Sequence, residues 1–324
     1  MSHLTALDRI FQGLDPSNSA STIRTYVSCI NSLCKKTGLE PTQESFAEKH
    51  KTVIEHLSIM KDSTQKAYLS ACIKFLKPTD FTEAKEAYAK MFTEMKKKVQ
   101  KVVDSKEPTP QFKELVEAEF TWESVLAYQK KYENEYLADL YNPNTMLSKS
   151  LMWRLQQLIL LSCYTYIEPR RSQDYCDFVI KNPDTEKDNY MIEIDKKFFF
   201  VFNSYKTSRV YGQQRVEVPK KLADMITRWS QISHTKYMLM LYKRQAPFSP
   251  PNLCHALYDI FDGRRVSVNL LRHLYLAQYA RQDEERREVA RRMGHSMSMQ
   301  LNYIYRPSLP APSIQPNPEV EVSA

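Results

Sequence analysis

From Ser21 to Thr37 the apolar residues Ile23, Tyr26, Val27, Ile30, Leu33 and Cys34 recur at intervals of three and four, and Gly38 follows as a stop. That spacing predicts an amphipathic helix. A second helix is predicted over Glu44 to Lys61 with Phe46, Val53, Ile54, Leu57 and Met60 inward. A third starts at Ser63 and turns Tyr68, Ala71, Cys72, Phe75 and Leu76 inward before Pro78, and a fourth spans Thr82 to about Lys101. Short helices joined by small loops predict a helical module over residues 1–103. Residues 104–111 (DSKEPTPQ) hold two prolines and no periodicity, so they are predicted to be a linker.

A second domain is predicted over residues 112–305. Thr121 can cap a helix that carries Trp122, Val125, Leu126 and Tyr128. After a polar connection around Asn142 to Thr145, the stretch Leu151 to Ile167 is apolar on most sides and predicts a buried helix. The period then changes. Tyr190 to Ile194, Phe198 to Phe202 and Arg215 to Val218 are short runs rich in β-branched and aromatic residues, which predict a small three-stranded antiparallel sheet. Pro219 opens a helix with Leu222, Met225, Ile226 and Trp229 on one side, and helices resume from about Asn252 to Tyr303 and Tyr305. Residues 306–324 are proline-rich, with no apolar residues in phase, and are predicted to form a flexible tail. The expected fold class is mainly α with a small antiparallel β-sheet, an N-terminal helical domain preceding an α+β domain.

Composition narrows the partner. The 46 Lys and Arg against 38 Asp and Glu give a formal charge of +8, which favours a polyanion without identifying one. Arg24, Lys35, Lys36, Lys66, Lys74, Lys96, Lys97, Lys98 and Lys101 all fall on predicted outer faces of the first module. The six cysteines form no CxxC pair and no Cys/His ligand spacing, so no metal site and no disulfide framework is expected, and reduced thiols point to a cytoplasmic or nuclear protein that is not secreted. No signal-type apolar core and no membrane-spanning run is found; Arg154, Gln156 and Gln157 interrupt the longest apolar stretch.

A basic protein acting on a phosphodiester without a metal needs a nucleophile, cations on the non-bridging oxygens and an acid for the leaving oxygen. Arginine suits the oxygens because its planar fork donates paired hydrogen bonds and stays charged. Four places in the second domain offer such groups. YIEPRRSQDY puts Arg170 and Arg171 at a helix junction ahead of Asp174, though arginines at such junctions are usually surface residues. NSYKTSRVYGQQ puts Lys206 between two predicted strands, where exposed lysines are common. In NLLRHLYLAQ, Asn269 and Arg272 share one face of an otherwise apolar helix, so Arg272 must reach solvent or hold a buried anion. In RRMGHSMSMQLNYIY, Gly294 stops a helix, His295 sits on the turn, and Ser296 can cap a helix bearing Tyr303.

The order of these groups, arginine, lysine, xxxR, GH and tyrosine, resembles the tyrosine recombinase (phage-type integrase) family over about residues 150 to 305. The most specific feature is the 23-residue separation of Arg272 from His295, with LLRH and MGHS similar to the family's local wording. Its first-arginine motif, R-x-x-E followed by buried positions, aligns with Arg171, Asp174, Tyr175 and Phe178 better than with Arg170, Gln173, Asp174 and Asp177. YKT…YG together with the PRRSQDY stretch resembles recombinases of large DNA viruses or eukaryotic mobile elements more than those of bacterial chromosomes. The chain departs from the family in having Asn269 where a histidine is usual, and in placing Tyr303 one residue closer to His295 than is common, with Tyr305 as a rival. The resemblance implies a helical core-binding domain and a catalytic domain clamped on double-stranded DNA, and four protomers assembling on two DNA sites, with no cofactor. It implies that Tyr303 is the nucleophile forming a 3′-phosphotyrosyl intermediate, that Arg171 and Arg272 hold the phosphate with His295 and Asn269 assisting, and that Lys206 is the acid. The alternatives are a type IB topoisomerase-like relaxing enzyme and an inactive DNA-binding protein of the same fold.

Overall fold

In the computed structural model the described residues are 6–16, 18–76, 81–105, 109–278, 283–294, 296 and 299. The chain divides into two units, Met1–Ser105 and Lys106–Ala324. The first unit holds α1 (Ala6–Leu14), α2 (Ala20–Thr37), α3 (Gln43–Glu48), α4 (His50–Ser58), α5 (Asp62–Phe75) and α6 (Thr82–Ser105). The periodic residues of α2 face inward as expected, with Ile30 and Leu33 fully buried. Its ends are set by local chemistry: the Ser19 side chain accepts from the Thr22 N–H, and Gly38, at φ +73°, donates its N–H to the Cys34 carbonyl.

Two features differ from the sequence reading. A helix, α1, lies ahead of the first predicted one and buries Leu7 and Phe11. The single helix expected over Glu44 to Lys61 is two, separated at Lys49. There a His50 ring nitrogen lies 2.8 Å from the Ala47 carbonyl, occupying an acceptor that a continuous helix would fill from its own backbone. Tyr88 then ties α6 to α3 by donating to the Phe46 carbonyl at 3.0 Å. Lys74, expected on an outer face, pairs with Asp15 at 2.7 Å.

The second unit opens with α7 (Pro110–Glu117), α8 (Trp122–Tyr141), α9 (Lys149–Thr165) and α10 (Ser172–Cys176). The segment expected to be linker is shortened from both ends, since α6 continues to Ser105 and Pro110 occupies a first helical position, where its missing N–H costs nothing. Thr121 and Ser124 form a capping box at the start of α8. Trp122 and Val125 are buried, but Leu126 is 38% exposed, off the inward stripe. Every residue of α9 from Leu155 to Tyr164 is buried. Its polar members are accommodated inside: Ser162 donates to the Leu158 carbonyl at 2.7 Å and accepts from Gln129 at 2.8 Å, and the Gln156 side-chain oxygen accepts from the Met240 N–H.

Strands β1 (Tyr190–Ile194) and β2 (Lys197–Phe202) pair antiparallel in the register Tyr190↔Val201, joined through Asp195 and Lys196, both at positive φ. The short helix α11 (Ser208–Tyr211) interrupts the connection to β3 (Gln214–Val218), which pairs with β2 in the register Phe198↔Val218. Phe200 and Phe202 pack with Tyr175 and Phe178, the Phe178 and Phe200 centroids being 4.9 Å apart, and this aromatic cluster seats α10 on the sheet. α12 (Lys220–Ser233) buries Leu222, Met225, Ile226 and Trp229. A two-residue pair unforeseen in the sequence, β4 (Met240–Leu241) with β5 (Ala246–Pro247), precedes α13 (Pro250–Ile260), α14 (Val268–Gln278) and α15 (Asp283–Arg292). The protein is thus mainly helical with a small antiparallel sheet. Among the described residues no helix is long and apolar enough to cross a membrane.

Because Phe200 is fully buried between α10 and its sheet neighbours, Phe200→Ala is expected to destabilise the second unit by about 3–5 kcal/mol, read as a lower urea midpoint by circular dichroism.

Candidate active site

The two adjacent arginines have opposite environments. Arg170 has no exposed surface, whereas Arg171, the residue that caps the start of α10, is partly exposed. The Arg170 Nε donates to Asp174 Oδ2 at 2.8 Å, its Nη1 donates to Gln214 Oε1 at 2.9 Å and to the Arg292 carbonyl, and its guanidinium lies 3.9 Å from the centroid of the Phe202 ring. Arg171 donates through Nη1 to the Gly294 carbonyl. In the register starting at Arg171, Asp174, Tyr175 and Phe178 are all fully buried, while Gln173 of the alternative register is exposed.

Lys206 is exposed, just beyond β2 on the connection to β3. That connection is braced at its base. Tyr205 donates its hydroxyl to the Gly212 carbonyl at 2.8 Å, and Asn189, ahead of β1, donates to the carbonyls of Asp174 and Ser204 while accepting the N–H groups of Asn203 and Ser204. Beside Lys206, the Thr207 hydroxyl donates to the Gly294 carbonyl at 2.7 Å.

On α14 the residues from Leu270 to Leu276 are all buried, Arg272 without exposed surface, and Asn269 at the first turn is exposed. Arg272 therefore does not reach solvent. Its charge acts on the Asp174 carboxyl: burial pushes that carboxyl above the ordinary value, and Arg170, then Arg171 and Arg272, pull it back. One carboxylate among three guanidiniums leaves an excess of positive charge, an arrangement that can accept a phosphate anion. Its neighbour His273 packs edge-on against Phe112 with centroids 5.9 Å apart.

Gly294 lies two residues beyond α15, at φ +71°. Its carbonyl takes both Arg171 and Thr207, and the carbonyls of Arg291 and Arg292 take Gln214 and Arg170. The junction before α10, the β2–β3 connection and the end of α15 therefore meet at one turn. Ser296 accepts the Met299 N–H at 3.4 Å, the contact expected of a cap. His295, Tyr303 and Tyr305 lie outside the described residues. Asn189, Thr207 and Gln214 were not foreseen in the sequence: an asparagine ahead of a strand and a glutamine two residues after a glycine read as ordinary turn residues. Among the described residues no group of His, Cys, Asp and Glu could hold a metal ion.

No protein-family model matches the chain, and no curated protein matches it.

At Gly294 an added Cβ would lie 3.2 Å from Arg170 Nη2 and 3.4 Å from the Tyr205 ring, on a backbone at φ +71°. Gly294→Ala should therefore cost about 1–2 kcal/mol of stability from the left-handed backbone alone, measurable as a lower thermal midpoint.

Proposed function

We propose that this chain is a tyrosine recombinase, a site-specific DNA strand transferase. The observation that carries this reading is the meeting at Gly294 of the segments bearing Arg171, Lys206 and the approach to His295. These are the groups that metal-free phosphodiester chemistry requires, drawn from three remote stretches of sequence.

In this mechanism Arg171 and Arg272 hold the non-bridging oxygens of the scissile phosphate, with Asn269 and His295 adding hydrogen bonds. Arg272 has no exposed surface, so its engagement requires DNA binding to uncover it. The Tyr303 oxygen attacks phosphorus as its phenolic proton passes to His295, forming a P–O bond to the tyrosine and breaking the bond to the 5′-oxygen. Lys206 delivers the proton that makes the departing group a 5′-hydroxyl. The 3′-phosphotyrosyl link conserves the bond energy, so a 5′-hydroxyl from a second duplex can reverse the attack without ATP. Exchange between two duplexes engages four protomers, and the basic faces of the first unit supply sequence-independent affinity for the backbone.

Covalent trapping tests the nucleophile. Wild type incubated with duplexes carrying a 5′-bridging phosphorothiolate should give a protein band shifted on denaturing gels, and Tyr303→Phe should abolish it while Tyr305→Phe retains it. The reverse pattern would move the nucleophile two residues on, and a wild type that binds its native element ends without ever linking to them would leave a DNA-binding protein. Strand exchange between matched sites, as opposed to relaxation of any supercoiled plasmid, separates a recombinase from a topoisomerase.

Lys206→Ala should lower cleavage of an ordinary phosphodiester by about 10²–10⁴-fold, the usual contribution of general acid catalysis. The 5′-phosphorothiolate should restore most of that loss, because a thiolate leaves without protonation; single-turnover rates on the paired substrates provide the check.

A further inference from the structure

We infer that Gln214 is a positioning residue that, with Arg170, sets where the turn after α15 sits, and so where His295 and the following tyrosine segment enter the site; the catalytic part of this inference rests on the function proposed above. The last carbonyls of a helix have no partner within it and are ordinarily met by water or by a glycine turn. At the end of α15 a glycine turn is present, Gly294 at φ +71° donating its N–H to the Arg291 carbonyl at 2.9 Å, and side chains add to it. Gln214 Nε2 donates to the Arg291 carbonyl at 2.8 Å, and Arg170 Nη1 donates to the Arg292 carbonyl.

The orientation of the Gln214 amide is dictated by its neighbour. Arginine has no acceptor, so the amide oxygen must face Arg170, 2.9 Å away, which turns the amide nitrogen towards the Arg291 carbonyl. Arg170 is fixed in turn by Asp174 at 2.8 Å and by the Phe202 ring at 3.9 Å. A chain of contacts thus runs from the sheet through Arg170 and Gln214, which begins β3 and is 9% exposed, to the helix end. The ion pairs there, Arg292 with Glu168 at 2.8 Å and Arg291 with Glu288 at 3.3 Å, are more exposed and more readily screened by salt. The helix end is therefore registered against the sheet by two part-buried contacts, from Gln214 and Arg170, which are themselves joined by a buried hydrogen bond. His295 follows it by one residue beyond Gly294, and misplacing a reacting group by about 1 Å can cost on the order of 10²-fold in rate.

Gln214→Glu keeps the acceptor for Arg170 and removes the donor to Arg291, whereas Gln214→Met removes both in nearly the same volume. Full-length wild type and both variants would be compared by hydrogen exchange, by affinity for a labelled duplex, and by single-turnover linkage to a randomised pool of 5′-phosphorothiolate duplexes across pH. In both variants amide exchange should rise at least about tenfold over residues 287–305 while amides of β2 stay protected. Linkage should slow by about 10–100-fold with duplex affinity within threefold, and the pH of half-maximal rate should shift because His295 is displaced. Unchanged exchange over 287–305 in both variants would overturn the inference, as would linkage within twofold of wild type at every pH. If wild type never links to DNA, the catalytic reading fails, and the exchange data alone decide whether Gln214 sets the turn.

Discussion

The ion pair between Arg170 and Asp174 is the interaction on which the second unit's site depends. Both side chains are essentially without solvent, and their 2.8 Å contact is within one local stretch of chain. Removing two charges from water is costly, and a pair of this kind persists where further hydrogen bonds and charges complete it. Here the guanidinium also holds Gln214 and the end of α15 and lies on Phe202, while Asp174 additionally senses Arg171 and Arg272. Removing Asp174 would leave a buried arginine without its carboxylate, and removing Arg170 would release Gln214 and the end of α15 together.

The surrounding fold makes this pair possible. α9, buried along most of its length, packs against α8, α12 and α13 and meets α10 where Tyr164 lies edge-on to Tyr175, and the aromatic contacts of Tyr175 and Phe178 with Phe200 and Phe202 fix the face of α10. With that face fixed, Asp174 can only point inward, and Arg170, four residues earlier, reaches it from outside the helix. Arg171 is left at the surface by the same geometry. Polar side chains then join backbone segments at close range: Asn189 joins the end of α10 to the exit from β2, and Thr207 joins the β2–β3 connection to Gly294. Rigid, hydrogen-bonded supports of this kind are what a site requires when its chemistry depends on placement.

Most secondary elements were legible because their signals are local. Apolar spacing marked α2, α5 and α12, a nearly continuous apolar stretch marked α9, runs rich in β-branched and aromatic residues marked the three strands, and Gly38 and Thr121 marked helix ends through contacts a few residues away. The break between α3 and α4 was not legible, because the apolar positions fit one helix as well as two, and the turn at Lys49, where the His50 ring meets the Ala47 carbonyl, shows only in the fold. The β4–β5 pair was hidden for another reason, since two residues per strand are too few to show a period.

By itself the sequence determined the helical and strand periods, the boundary region near residue 104 and the order of arginine, lysine, asparagine, arginine, histidine and tyrosine along the chain. Tertiary structure alone decided that Arg170 is enclosed and Arg171 partly open, that Arg272 is buried beside an exposed Asn269, and that Gln214 serves as both acceptor and donor. The physical reason is separation. Arg170 meets Gln214 across 44 positions and the Arg292 carbonyl across 122, and neither contact leaves a mark in the local alternation of apolar and polar residues, because each depends on how the sheet, α10 and α15 pack together.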